Sequence, residues 1–147
     1  MMLETMTGLF GKKKLRLRGV DGKTVTDGPM ISDHAEAEQY GHQGLRKQPR
    51  VRLGKLALYY RDLGKDYFVP YEYIDRSFTR ISECQPDDSP AYYYYRLILV
   101  HGEKEFANLI FNREEEADTV NRRLQEIDPR IQYGYVPPSG GAKPRFM

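Results

Sequence analysis

A cluster of basic residues has the spacing of an anion-binding strand. It comprises Lys47, Arg50, Arg52 and Lys55. Alternate residues of a strand share one face, so Arg50 and Arg52 would present two guanidinium groups side by side. Lys47 and Lys55 would add two compact positive charges. The pattern predicts binding of an anionic lipid or a phosphate ligand, but charges on an edge strand also serve to block aggregation between sheets.

Four consecutive tyrosines, Tyr92 to Tyr95, precede Arg96 in the most strand-like segment of the chain. On a strand, Tyr92, Tyr94 and Arg96 share one face, and the other two tyrosines share the opposite face. Aromatic side chains beside arginine are typical of single-stranded nucleic-acid platforms. Strand tyrosines also pack across a sheet with the hydroxyl at the rim. This half of the chain is acidic, so nucleic acid is the less favoured partner.

Residues with catalytic chemistry are scattered. His34, His42 and His101 have no partner at metal-ligand spacing, and Cys84 stands alone. Asp87-Asp88 lies in a proline-flanked loop, where carboxylates are ordinary turn residues. No glycine-rich phosphate loop and no nucleophile elbow are found in the sequence. These observations predict a protein that is not an enzyme and that holds no metal or cofactor.

The bulk composition indicates one globular domain. The chain has 147 residues, of which 39% are apolar and 30% charged. One cysteine excludes an intrachain disulfide, and no apolar run is long enough to span a bilayer. The basic run near the start follows an apolar patch, the reverse of a signal peptide, so we expect a cytoplasmic protein. Residues 1–62 hold 12 basic and 7 acidic residues, and residues 63–147 hold 11 and 14.

The first 49 residues show the weakest secondary-structure pattern of the chain and are predicted to be an N-terminal extension. Asp21-Gly22 is a good two-residue turn, which predicts a hairpin over 14–26. Ser32 is a suitable N-cap for a helix up to Tyr40. The sequence predicts that a domain spans 50–135 and that residues 136–147 form a disordered tail.

Within 50–135 the pattern predicts strands followed by one amphipathic helix. Glu114 to Ile127 has its apolar residues on one helical face, and Asn112 with Glu115 resembles a capping box. The predicted strands are Val51–Tyr60 with a kink at Gly54, Asp66–Val69, Arg76–Cys84, Tyr92–His101, Lys104–Phe111 and a short one near Ile131–Tyr135.

The stretch LALYYRDLGKDYFVPYEYIDRSF, Leu56 to Phe78, resembles the opening of a bacterial pleckstrin-homology-like (PH-like) domain. In that family a short hairpin leads to a strand ending in IP or VP and then to a turn with a buried isoleucine. The resemblance covers about Arg50 to Ile127. It implies a mainly β (α+β) fold, an antiparallel PH-like partly open barrel or two-sheet roll capped by one C-terminal α-helix.

The same resemblance implies seven strands before the helix, whereas about five are clear in the sequence. The hairpin at 14–26 would have to supply the others, or the fold is a different partly open barrel. Lipid-binding members of the superfamily carry a pattern of Lys, a spacer, Lys or Arg, any residue, and Arg, which Lys47 to Arg52 matches.

Three functions remain open at this point. The leading one is a non-catalytic PH-like interaction module that binds a protein partner or another copy of itself. The second is binding of anionic lipid or phosphate ligands through the basic strand. The third is binding of single-stranded nucleic acid on the tyrosine face.

Overall fold

The computed structural model describes residues 14–41 and 49–134. This part of the chain is mainly β, with two mixed sheets and two α-helices, and the sheets do not form a closed barrel. The helices are α1 (Pro29–Glu36) and α2 (Glu114–Ile127), and Tyr71–Tyr73 form one 3₁₀ turn. The strands are β1 (Leu17–Arg18), β2 (Thr24–Val25), β3 (Glu38–Tyr40), β4 (Val51–Leu53), β5 (Ala57–Asp62), β6 (Lys65–Pro70), β7 (Arg76–Cys84), β8 (Tyr92–His101), β9 (Lys104–Phe111) and β10 (Gln132–Tyr133).

The first sheet has the strand order β2-β1-β6-β5-β4-β3. Strands β3 to β6 form an antiparallel meander. Strands β1 and β2 form a hairpin, and β1 joins the edge of β6 in parallel, with Leu17 opposite Asp66. The segment before residue 42 therefore contributes three of the six strands.

The second sheet has the order β10-β7-β8-β9. Strands β7 to β9 form an antiparallel meander with a bulge between Leu99 and Val100, and β10 joins β7 in parallel. Of the nine strands that precede α2 in the described residues, seven, β3 to β9, form consecutive meanders of four and three. The purely antiparallel sheets predicted from the sequence are wrong, because both added strands, β1 and β10, run parallel to their neighbours.

Helix α2 packs on the second sheet and helps to enclose the main core between the two sheets. Its bounds confirm the predicted helix, and its predicted face is buried at Ala117, Val120 and Leu124. The predicted cap is wrong. Arg113 is the N-cap residue, in an extended conformation and without a side-chain capping bond, so Asn112 lies one residue too early to cap.

Polar contacts tie α2 to both sheets. The fully buried Asn121 donates from Nδ2 to Thr79 Oγ1 of β7 at 2.8 Å, and Thr79 in turn donates to Asp118 at 2.8 Å. Arg123 donates to Glu38 Oε1 of β3 at 3.0 Å. The helix therefore bridges the outer strand of the first sheet and the second sheet.

Residues of the N-terminal segment form a second apolar cluster on the outer face of the first sheet. Leu17 and Ala37 pack there with Ala57 and Tyr59 of β5, and the partly buried Met30 of α1 lies against them. Both faces of β5 are thus covered, which explains why Ala57, Leu58 and Tyr59 are all buried.

Asp33 of α1 fastens this segment to the sheet. Its carboxylate accepts hydrogen bonds from Lys55 N at 2.8 Å, Leu56 N at 3.0 Å and the Tyr59 hydroxyl at 2.6 Å. Burial opposes ionisation, but these hydrogen bonds outweigh it and lower the pKa of Asp33 from its usual value. Gly54 passes so close that a Cβ there would collide with the carboxylate.

The same contacts account for two differences from the sequence prediction. The run Val51–Tyr60 is two strands, because the Asp33 carboxylate holds the turn between β4 and β5. The predicted helix is present, but its predicted bounds, Ser32–Tyr40, are wrong: α1 begins at Pro29, whose fixed φ suits the first helical position, and ends at Glu36. The next residues pair with β4 as β3.

Gly41 ends β3 with φ of 77°. A Cβ at this position would meet the ring of Phe111 in the core.

The predicted tail, 136–147, lies outside the described residues. Within the described ranges, no helix is long and apolar enough to cross a membrane.

Candidate ligand-binding groove

The four predicted basic residues occupy different surroundings. Lys47 lies outside the described residues. Arg50 is half-buried just before β4, and Lys55 is exposed in the turn after it. Arg52 lies on the face of β4 covered by α1, where its Nη1 donates to the carbonyl oxygen of His34 at 3.3 Å. Arg52 is therefore held partly by the fold itself.

Arg52 lines a small cleft of about 180 Å³, together with His34 of α1 and Arg61 and Asp66 of the β5–β6 hairpin. Burial, followed by the charge of Arg52, lowers the pKa of His34 from its ordinary value. Burial also lowers the pKa of Arg52, and Asp66 partly offsets this. The imidazole is accordingly neutral at pH 7, and the charge in the cleft comes from the arginines and Asp66.

A larger and more strongly charged groove of about 430 Å³ lies beside this cleft and shares Leu15, Arg61 and Asp66 with it. Its lining holds one carboxylate, Asp66, and five cationic side chains. We call it the basic groove; its cations are Lys14, Arg16, Arg18, Arg61 and Lys65.

The groove is built by the parallel pairing of β1 with β6. Leu17 of β1 is fully buried in the outer apolar cluster, which places the flanking Arg16 and Arg18 at the surface. The N-terminal segment contributes Lys14, Arg16 and Arg18 to the lining, and the β5–β6 hairpin contributes Arg61 and Lys65.

The basic groove gathers five cations around a single carboxylate, Asp66. Within residues 14–41 and 49–134, none of the five forms an ion pair. By contrast, Arg80 pairs with Glu105 at 2.5 Å, and Arg123 and Arg130 also pair with carboxylates. Four of the five groove cations are exposed and Arg18 is half-buried. Like charges gathered without partners destabilise a fold, so their placement favours a ligand that neutralises them.

Groups with catalytic chemistry do not converge in the described part of the chain. His101 stacks on Tyr73 with ring centroids 3.7 Å apart, and Cys84 is half-buried opposite Tyr92. Within the described ranges, no cluster of His, Cys, Asp and Glu could hold a metal ion. A third cavity, of about 410 Å³ near Asp75 and Arg130, carries mixed charges.

The tyrosines lie where the β7–β8 hairpin extends beyond its neighbour β9. Strand β8 pairs with β9 only from Tyr95 onward, so Tyr92 to Tyr94 pair with β7 alone among the described strands. Tyr92 and Tyr94 form an edge-to-face pair at 5.2 Å, on the face opposite to Tyr93. Tyr92 is 44% and Tyr93 51% exposed. We call residues 81–95 the tyrosine arm.

The residues of the basic groove were not recognised as a site from the sequence. The sequence predicts a hairpin over 14–26, but the partner that completes the groove, β6, lies far along the chain and runs parallel to β1. Known proteins offer no guide here, since no family model, curated protein or solved structure matches the chain.

Proposed function

We propose that this protein is a non-catalytic, PH-like interaction module that binds an acidic polypeptide segment in the basic groove. The carrying observation is the set of five cations around one groove, none of which forms an ion pair within the described residues. The single cysteine fits the cytoplasmic location that belongs to this proposal.

The PH-like part of the proposal is supported by topology. The seven meander strands β3 to β9 followed by α2 agree with the seven strands before a closing helix that the resemblance implies. The two additional strands beside β6, β1 and β2, bring the basic residues of the groove, so the N-terminal segment would supply the binding surface and the meanders its support.

A protein ligand is favoured over a compact phosphate by the geometry of the cations. The basic residues at 14, 16 and 18 occur at every second position of the chain, the spacing of side chains on one face of an extended peptide. A compact phosphate is bound best by donors that converge on one point, as in a bidentate arginine contact. The groove instead draws its cations from two segments, 14–18 and the β5–β6 hairpin.

The proposal is tested by fluorescence anisotropy with a labelled peptide of alternating glutamate and serine. The comparison is between the unaltered protein, Arg16→Ala with Arg61→Ala in the groove, and a control with Arg113→Ala and Arg122→Ala. All four positions are exposed, and both variants lose two positive charges. We expect the groove variant to bind roughly tenfold more weakly and the control to bind nearly as the unaltered protein does.

Equal affinity of the two variants would contradict the assignment to the groove. A matching peptide with glutamine in place of glutamate should not bind. Vesicles containing phosphatidylserine and a single-stranded oligonucleotide serve as competing anions. If either binds through Arg16 and Arg61 while the acidic peptide does not, the partner class proposed here is wrong.

A further inference from the structure

The tyrosine arm is negatively charged, whereas the basic groove is positively charged. From Ile81 to Tyr95 the sequence contains Glu83, Asp87 and Asp88 and no lysine or arginine. All three carboxylates belong to exposed residues. The arm therefore presents three negative charges in one short hairpin, followed at once by tyrosines.

The form of the arm suits insertion into a groove. It has two strands, and its tip, residues 85–91, is a loop with prolines at both ends. Prolines restrict the conformations of the loop before binding, which lowers the entropy lost on docking. The exposed rings of Tyr92 and Tyr93 can pack over arginine guanidinium groups beside the ion pairs.

The groove lies at the beginning of β6, and the arm lies at the end of β7. The groove is at the β5–β6 turn, where β6 begins, and β6 then runs to the corner at Tyr71–Tyr73. Strand β7 starts from that corner and reaches the arm at its far end. The same chain thus carries a basic groove with five cations and an acidic arm with three carboxylates.

We propose that the acidic ligand of the groove is the tyrosine arm of a second copy of this chain. The inference rests on the proposed function, because it names the partner of the same groove. The contact joins two different surfaces of identical molecules, so it is heterologous: one molecule of the pair keeps an unused arm and the other keeps an unused groove. Assembly can then continue into a ring or an open chain.

The test measures the mass of the full-length protein by light scattering during size-exclusion chromatography, over a range of concentrations and salt. We expect mass to rise with concentration at about 50 mM salt and to fall at about 500 mM, since salt screens exposed charges. Arg16→Glu with Lys65→Glu reverses charge in the groove. Asp87→Lys with Asp88→Lys reverses it in the arm. All four positions are exposed, and circular dichroism checks the fold.

Each variant alone should associate roughly tenfold more weakly than the unaltered protein. An equimolar mixture of the two should form a complex of one to one, because the intact arm of the groove variant fits the intact groove of the arm variant. Arg80→Glu with Glu105→Arg, which swaps a pair elsewhere, should change nothing. A monomer at every concentration, or assembly that persists in both variants, overturns the inference.

The failure of this inference is distinguishable from failure of the proposed function. If the acidic peptide binds in the groove while the protein stays monomeric, the groove is correctly assigned and its partner is another protein. If neither the peptide nor a second copy binds, both proposals are wrong.

Discussion

Replacement of Asp33 by alanine tests whether one carboxylate holds the N-terminal segment on the sheet. The substitution removes the acceptor for three hydrogen bonds, from Lys55 N, Leu56 N and the Tyr59 hydroxyl. It leaves the apolar contacts of α1 in place. The loss should therefore act first on the attachment of residues 14–41 and on the turn between β4 and β5.

The expected magnitude follows from the surroundings of each donor. A hydrogen bond to a charged acceptor is worth about 1.5–3 kcal/mol. Tyr59 is 1% exposed, but its hydroxyl lies 3.3 Å from the carbonyl oxygen of Met30, so the cost of this bond is at the lower end. Lys55 and Leu56 are exposed, and water can replace the carboxylate at about 0.5–1 kcal/mol each. We expect Asp33→Ala to cost about 3 kcal/mol, or about 9 °C in Tm at about 3 °C per kcal/mol.

Thermal unfolding followed by circular dichroism measures the change, with the exposed Asp27→Ala as control. Because Asp33 has a lowered pKa in the folded state, its contribution is present above its unfolded pKa, about 4, and is lost as the pH falls through the lower folded value. Asp33→Ala should abolish this acid-dependent part. A Tm within about 1 °C of the unaltered protein would refute the reasoning. So would a loss of stability in the double variant Asp33→Ala with Tyr59→Phe that equals the sum of the losses in the two single variants.

Three further substitutions test other parts of the fold. Gly41→Ala should lower the free energy of unfolding in guanidinium by about 2–3 kcal/mol, because it adds a core clash to a positive φ. Gly102→Ala, with a positive φ and open space, should lower it by about 1 kcal/mol. Similar costs at the two positions would contradict the clash. Asn121→Leu should cost no more than about 1 kcal/mol, whereas Asn121→Asp should cost about 3 kcal/mol by burying a second carboxylate in the helix contact. Arg123→Ala should cost less than about 1 kcal/mol, and about 1 M salt should remove the difference, since its bond to Glu38 is largely exposed.

The elements with strong local signals were predictable. Helix α2 was confirmed to the residue, because its acidic first turn, its apolar spacing and the Asp128-Pro129 stop all act within one segment. The long strands β8 and β9 also follow from local composition and a tight turn. Asn112 was misplaced as a cap because its residue type and its spacing from Glu115 favour it, whereas the backbone makes Arg113, which forms no capping hydrogen bond, the N-cap.

The N-terminal half was less predictable because its structure depends on distant partners. Residues 38–40 have helix-forming neighbours, yet pairing with β4 outweighs that preference. The basic groove depends on Arg18 of β1 and Arg61 of β5, which the parallel pairing of β1 with β6 brings together. No local pattern encodes such a pairing. The sequence around Leu17 therefore predicts a hairpin but not the strand that lies beside it.

The parallel pairing of β1 with β6 has a consequence during synthesis. Leu17 leaves the ribosome about 50 residues before its partner Asp66, and domains generally fold as their chains emerge. The first hairpin has no strand edge to join until β5 and β6 have paired. Residues 14–41 are thus made first and docked late, and a nascent chain stalled before Lys65 should expose Leu17 and Met30 to proteases and chaperones. The order of docking reverses the order of translation.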